Sequence, residues 1–504
     1  MVDSNINDGF RYLNVKPGTG GLWNLLKYSR WGSNHGAETD HRFVILVSIV
    51  VMELLRLFRK PMEFTGYVVE FFLNLISQNG SLCGLLSNIL HGKAVIPKRG
   101  TDTFISSVGQ LDSRVDLYKA KKLVDDLHKA GSSTAGIAKL ESSVRETMDL
   151  CMMASKLAYE NAQVVENVVV RHWKASFTRS LIPFYLFICR NLAYYQKEKS
   201  TQVFLTCDKP KDASLILISF RGTEPFDADN WSTDVDYSWY DCQNVGKIHM
   251  GFLEALGLGN REDISTFYYH LQTQVTYHTY SEAAEQSSSI GKTGIRLSEM
   301  ADMSAYYLVR EKLRSLLVEH ENAKFVVTGH SLGGALAIMF PIVLAIHGEM
   351  VLLEKLLRVY TFGQPRVGDR KLKKFMEPHL DQPVPKYFRV VYCNDVVPRL
   401  PYDDKTFLYK HFGTCLYYNS FYIEQTVDEE PNKNYLEISE LIPEYVNAFW
   451  ELIRGLAGGY IYGPEYKEGW FSILFRVLGL ALPGVAAHSP TDYINSVRLG
   501  LSTT

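Results

Sequence analysis

Residues 324–337 read KFVVTGHSLGGALA. Phe325, Val326 and Val327 form an apolar, β-rich run, the pattern of a buried strand. The closing Ala-Leu-Ala suits the start of a helix. Between them stands Gly329-His330-Ser331-Leu332-Gly333, a G-x-S-x-G pentapeptide. At a strand-to-helix turn this pattern holds its serine strained above the sheet, and glycine two residues to either side leaves the room that the turn needs. The helix that follows points free N–H groups at the serine, which favours developing negative charge. The pentapeptide also arises by chance in Gly-rich turns. Its strand before and Gly-Gly helix start after favour a nucleophile turn here.

The chain has 504 residues, ample for a large core and for more than one structural unit. Hydrophobic residues make up 46% of it and aromatics 12%, so it is globular. A net charge of −2 argues against a nucleic-acid footprint. The seven cysteines are scattered without a C-x-x-C pair, which argues against a zinc site or a disulfide framework. The opening MVDSNINDGFRYLNVKPG lacks a signal peptide's apolar core, which predicts a cytosol-facing location.

Three regions follow from the pattern. Residues 1–92 begin irregular and Gly-rich, then carry apolar runs at 43–52 and 64–76. Neither run reaches the roughly 18–20 uncharged residues of a spanning helix. They read either as two helices packed on a catalytic domain or as a helical hairpin, turned near Pro61, lying in a lipid surface. The uncharged first run favours lipid attachment. Residues 93–141 are polar and charged, a connector. Residues 142–504 read as the catalytic domain. Strands are predicted at 201–206, 214–220, 357–362, 386–393 and 407–418, and helices at 148–173, 304–320 and 336–346, the last kinked at Pro341. Amphipathic helices are predicted over 444–487. Loop signals at about 258–303 mark an insertion. The alternation of strands and helices predicts a mostly parallel sheet with its site at the strands' carboxyl ends.

Strand 214–220 ends in Arg221-Gly222-Thr223 and leads into EPFDADNWSTDVDYSWY. Trp231, Val235 and Trp239 recur every four residues, the spacing of a short amphipathic helix. With Phe226 they make either a surface helix on the core or a lid, at about 224–242, that opens on an oil surface.

In an α/β-hydrolase arrangement the catalytic order along the chain is serine, acid, histidine. Asp395 directly follows the strand FRVVYCN and meets the requirement for the acid better than Asp369, which sits in a turn-like PRVGD. Only His411 and His488 follow Asp395. His411 lies in a strand-like run, where a satisfied sheet residue is the plain reading. His488 lies in a loop, where a general base can reach the serine. His330 and His249 read as packing residues.

FRGTEPFDADNWSTDVDYSW, HMGF, GHSLGGALA, GQPRVGD, NDVVPRLP and HSPTDY together resemble the class 3 lipases. The long N-terminal part and MASKLAYEN narrow the resemblance to the plant oil-body triacylglycerol lipases. These motifs run from about residue 150 to the C-terminus. The resemblance implies Ser331 as nucleophile, Asp395 as acid and His488 as base. It also implies an oxyanion hole from the backbone N–H groups of Thr223 and Leu332. Hydrolysis through an acyl-enzyme then needs no metal or organic cofactor. The implied substrate is triacylglycerol at a lipid-droplet surface, or at the endoplasmic reticulum membrane, with no nucleic-acid partner. A phospholipid or galactolipid acyl hydrolase, and a lipase-fold interaction protein without catalysis, remain as alternatives.

Overall fold

The computed structural model describes residues 2–5, 11–15, 41–118, 137–173, 187–190, 201–271, 304–403, 409–433, 435 and 440–502. Most of the predicted insertion, the later part of the connector and Phe407 lie outside them.

The hydrophobic runs of the catalytic region become a nine-stranded sheet. Its strands are β3 (Phe187–Arg190), β4 (Gln202–Cys207), β5 (Leu215–Phe220), β8 (Lys324–His330), β9 (Leu356–Phe362), β10 (Tyr387–Tyr392), β11 (Thr414–Tyr418), β12 (Ile423–Val427) and β13 (Leu501–Ser502). Their spatial order is β13-β12-β11-β10-β9-β8-β5-β4-β3. The central strands β5, β8, β9, β10 and β11 are mutually parallel. Antiparallel pairing appears only at β3–β4, β4–β5 and β11–β12. β5 and β8 are buried throughout except Lys324, so both their faces are mostly apolar, with Ser219, Thr328 and His330 as the buried polar residues.

Both faces are covered. On one, the helix Leu332–Ile346 is buried along its whole length and runs on through Pro341. On the other, the helix Ile137–Leu157 packs Met148, Cys151, Met152 and Ala154 against Val326, Tyr360 and Val390. This is the α/β-hydrolase arrangement. The part of the expected insertion that is described belongs to the core instead. Leu258, Phe267 and Leu271 are buried among the elements behind β5.

A second, four-stranded antiparallel sheet was not foreseen. It joins β1 (Val2–Asn5) and β2 (Arg11–Val15) to β6 (Trp239–Cys242) and β7 (Gly246–His249). Only a pairing across more than 200 residues of sequence makes this sheet, and local pattern does not report such pairings.

The expected hairpin at Pro61 is corrected. Residues His41–Gln78 form one continuous helix with Pro61 inside it. Proline removes a single N–H from the ladder, and the Arg59–Glu63 ion pair at 3.2 Å bridges it across one turn. The helix buries Ile49 and Met52 against Leu13, Val15 and Tyr237. It also exposes Leu57, Phe58, Phe64 and Phe72. Packing and exposure therefore share one helix.

The predicted helix through Trp231, Val235 and Trp239 is also shorter than expected. It spans Ala228–Asp234, with Val235 as its C-cap. Asp236 ends it by accepting the Ser238 N–H at 2.9 Å and the Ser238 hydroxyl at 2.6 Å. Trp239 lies in β6, not on the helix.

Candidate active site

Three of the parallel strands and the first helix position deliver the site. Ser331 directly follows β8, and its φ of 60° and ψ of −136° place a non-glycine residue in a strained region. A Cβ on Gly329 would overlap the Gly333 carbonyl, so the sequence around the serine has no freedom for a side chain there. The Ser331 N–H is fixed by the Phe362 carbonyl of β9 at 2.9 Å. Leu332 opens the helix, where N–H groups have no intrahelical partner.

β10 ends at Tyr392, and Asp395 follows in a tight turn through Cys393, itself at positive φ. Asp395 is fully buried. Its Oδ1 accepts the Val397 N–H at 2.9 Å, and its Oδ2 faces Nδ1 of His488 at 2.7 Å. Arg399 ties the turn down by donating to the carbonyls of Cys393, Asp395, Pro431 and Asn432. His488 comes from the loop between the short helices Pro483–Ala486 and Pro490–Leu499. With Nδ1 engaged by the carboxylate, Nε2 is left as the working nitrogen. Nε2 of His488 and Oγ of Ser331 are both buried and have no hydrogen-bond partner among the described residues. Ser219 and Thr206 also have unpaired buried hydroxyls, so what distinguishes these two atoms is the Asp395 carboxylate behind the imidazole and the strained backbone beneath the serine. Gly363, at φ 59°, closes the space beneath. A Cβ there would press on both Asp395 Oδ2 and the His488 ring.

The two backbone segments expected to hold an oxyanion are also adjacent. A Cβ on Gly333 would overlap the Phe220 carbonyl, and one on Gly222 would overlap the His330 carbonyl. The backbone through Thr223 thus stands against the backbone through Leu332. The Thr223 hydroxyl donates to Asp234 at 2.8 Å, which links this strand end to the helix Ala228–Asp234. Asn230 and Thr233 of that helix line one small pocket together with Gly222 and Leu332. Trp231 turns its indole N–H to the Pro225 carbonyl at 3.1 Å, and Val235 packs toward Leu13 and Ile49. Phe226 lies against Gly66 of the long N-terminal helix.

The rejected alternatives have other tasks. Asp369 caps the helix Arg370–Leu380, accepting two N–H groups at 3.0 Å each. His411 donates its Nε2–H to the Pro398 carbonyl at 2.7 Å and sits beside Glu430, which is paired to Arg389 at 3.2 Å. Burial, and then Arg389, hold its ring well below the usual histidine range. His249 bonds the Asp236 carbonyl at 2.8 Å and stacks on Phe252.

Two neighbours of His488 were missed or undervalued. His330 stacks on the His488 ring at 4.5 Å, with Nε2 at 3.2 Å from the His488 carbonyl and Nδ1 at 2.9 Å from the Tyr159 hydroxyl. Burial first, and the facing His488 second, keep it neutral. Tyr493 gives its hydroxyl to Asp395 Oδ2. Burial and that carboxylate hold the phenol far above its usual range, so it stays a donor. Tyr493 stands in the quoted HSPTDY motif, but nothing in its spacing from His488 reports a bond to a carboxylate at the end of another element.

Tyr493→Phe keeps the ring and removes only this donor. A hydrogen bond to a charged group is worth about 1.5–3 kcal/mol, so kcat on a soluble ester is expected to fall roughly tenfold to a hundredfold. Unchanged kcat would remove Tyr493 from the positioning of Asp395.

Residues 217–405 match the family model described as Lipase (class 3). A protein of Nicotiana tabacum named Triacylglycerol lipase OBL1 is 52% identical, over 97% of this chain and 94% of its own. A protein of the same name in Arabidopsis thaliana is 54% identical, over 99% and 96%. The Ricinus communis protein of that name is 45% identical, over 90% and 86%. Among solved structures, a Rhizomucor miehei lipase–propeptide complex aligns at 19% identity and a TM-score of 0.36, covering 60% of this chain and 78% of that one. Relatives of such identity along nearly the whole length place the chain in the class 3 lipase family.

Proposed function

We propose that the protein hydrolyses triacylglycerol at a lipid-droplet surface. The observation that carries the chemistry is the pair of buried orphans, Ser331 Oγ and His488 Nε2, with Asp395 bound behind the imidazole. His488 takes the serine proton as the hydroxyl attacks the ester carbonyl. Asp395 keeps the tautomer and stabilises the imidazolium. The N–H groups of Thr223 and Leu332 receive the oxyanion, and loss of one such donor costs about 2.7–4 kcal/mol of barrier. His488 then protonates the departing glycerol oxygen, and water repeats the cycle on the acyl-enzyme.

The helix Ala228–Asp234, with Phe226, Trp231 and Val235, is the lid in this reading. Ser331 is almost fully buried, so substrate entry requires movement above it. Trp239, held in β6, belongs to the frame around the lid. The long N-terminal helix grips the lid at Asp229, through Arg59 at 3.3 Å, and at the Val235 carbonyl, through Ser48 at 2.6 Å. Its exposed apolar residues supply lipid attachment. No described helix is long and apolar enough to cross a membrane. The names of the relatives support triacylglycerol as substrate.

The test is hydrolysis of emulsified triolein set against dispersed phosphatidylcholine and galactolipid by the full chain. Release of oleate mainly from triolein is the expected result. Preferred attack on either polar lipid would replace this reading with an acyl hydrolase of membrane lipids.

A further inference from the structure

Two helices near the C-terminus are built inside out. The helix Leu441–Tyr462 buries Glu444, Glu451 and Arg454 together with the small Ala448, Gly455 and Gly458. The helix Trp470–Gly479 buries Ser472, Arg476 and Gly479. Every charged side chain on the two helices is therefore turned inward. The outward side carries Ile442, Val446, Phe449, Leu456, Leu474 and Leu478, between 46% and 76% exposed. A helix pair designed for water has the opposite distribution.

The inward charges form a closed set. Arg454 and Arg476 share Asp492 Oδ1 at 2.9 and 2.8 Å. Arg476 also meets Glu468 at 3.0 Å, and Tyr392 donates to Glu451 at 2.9 Å. Asp492 lies four residues after His488, and Tyr392 three before Asp395. The pair is thus bolted to the elements that carry the acid and base. Its chain runs directly into the His488 loop, where the Gly484 carbonyl accepts the Val396 N–H at 3.2 Å.

We infer that the outward face of residues 441–482 is a contact surface for neutral lipid, seating the catalytic loop on the oil. The occupant follows from the charge pattern. On the long N-terminal helix, Arg56 and Lys60 alternate with Leu57 and Phe58, a face suited to lipid headgroups. The C-terminal pair presents no charge from either helix, and the exposed Glu465 and Lys467 lie in the connection between them, so the gain of the helical face comes from removing apolar side chains from water. The inference rests on the droplet-surface reading above and adds to it a second surface, next to the base.

The experiment is flotation of the full chain with triolein droplets coated in phosphatidylcholine. Phe449→Glu/Leu456→Glu is compared with wild type and with Leu57→Glu/Phe64→Glu. The first double variant is expected to lose bound protein by about tenfold or more, because each glutamate must be drawn into an apolar layer. It is also expected to hydrolyse p-nitrophenyl butyrate in solution at the wild-type rate. Equal flotation of this variant and wild type overturns the inference alone. Failure of wild type to float overturns the droplet-surface reading with it. A wild-type dimer that becomes a monomer in the variant, with flotation unchanged, assigns the face to a second copy of the chain. If the variant does not fold, wild-type protein decides the matter. Its fluorescence on droplets carrying brominated lipid is expected to be quenched, with the quenched part lost in Trp470→Phe, and quenching that survives Trp470→Phe intact overturns the inference.

Discussion

Ser331→Ala is expected to lower triolein hydrolysis by roughly four to six orders of magnitude while leaving the fold unchanged. Two features of the site set this size. The serine hydroxyl is the one group at the end of β8 with no hydrogen-bond partner, so its removal breaks nothing that holds the turn. The turn itself is kept by the Ser331 backbone, through Phe362, and by the glycines around it. Alanine tolerates the strained backbone no better than serine does, so thermal stability is expected to stay within about 1 kcal/mol. What remains after the change is catalysis by the oxyanion N–H groups and by binding alone. The measurement is kcat on emulsified triolein beside the melting temperature. Substantial activity in a folded variant would require another nucleophile and would dismantle the acyl-enzyme reading.

Local pattern reports some elements of this site and not others. Ser331 was legible because a local pattern demands it: apolar strand, glycines at fixed offsets, helix start. The meeting of Asp395 with His488 was legible through order, since a parallel sheet collects the carboxyl ends of its strands at one edge and only two histidines follow Asp395. Tyr493 and the stacked His330 were not, because each works through a contact made by another element. The small sheet was hidden for the same reason. The amphipathic character of residues 444–487 was read correctly, yet periodicity cannot say which face turns inward. Here the buried partners Asp492 and Tyr392 decide it, and they make the charged face the inner one. Pro61 misled for a different reason. A proline in a helical pattern signals a break, but one lost N–H is a small loss for a helix whose other turns are packed.

The choice between the two histidines leads to the other large effect. His488→Ala is expected to cost roughly four to six orders of magnitude in kcat, as much as losing the serine, because the two act as one unit. With the imidazole gone, the serine proton has no acceptor. Asp395 cannot take its place, since its Oδ2 lies behind the ring, at Nδ1 rather than Nε2, and its Oδ1 is held by Val397. His411→Ala makes the opposite prediction. His411 belongs to the buried cluster of Arg366, Arg389 and Glu430, where its removal leaves a cavity and loosens a charge network. Its variant is expected to lose about 1–3 kcal/mol of stability and to keep kcat within about threefold. The pair of variants, compared by kcat and by melting temperature on the same preparation, separates base from scaffold. A folded His411→Ala without activity, beside an active His488→Ala, would reverse the assignment and with it the role given to Asp395, whose carboxylate faces only the second ring.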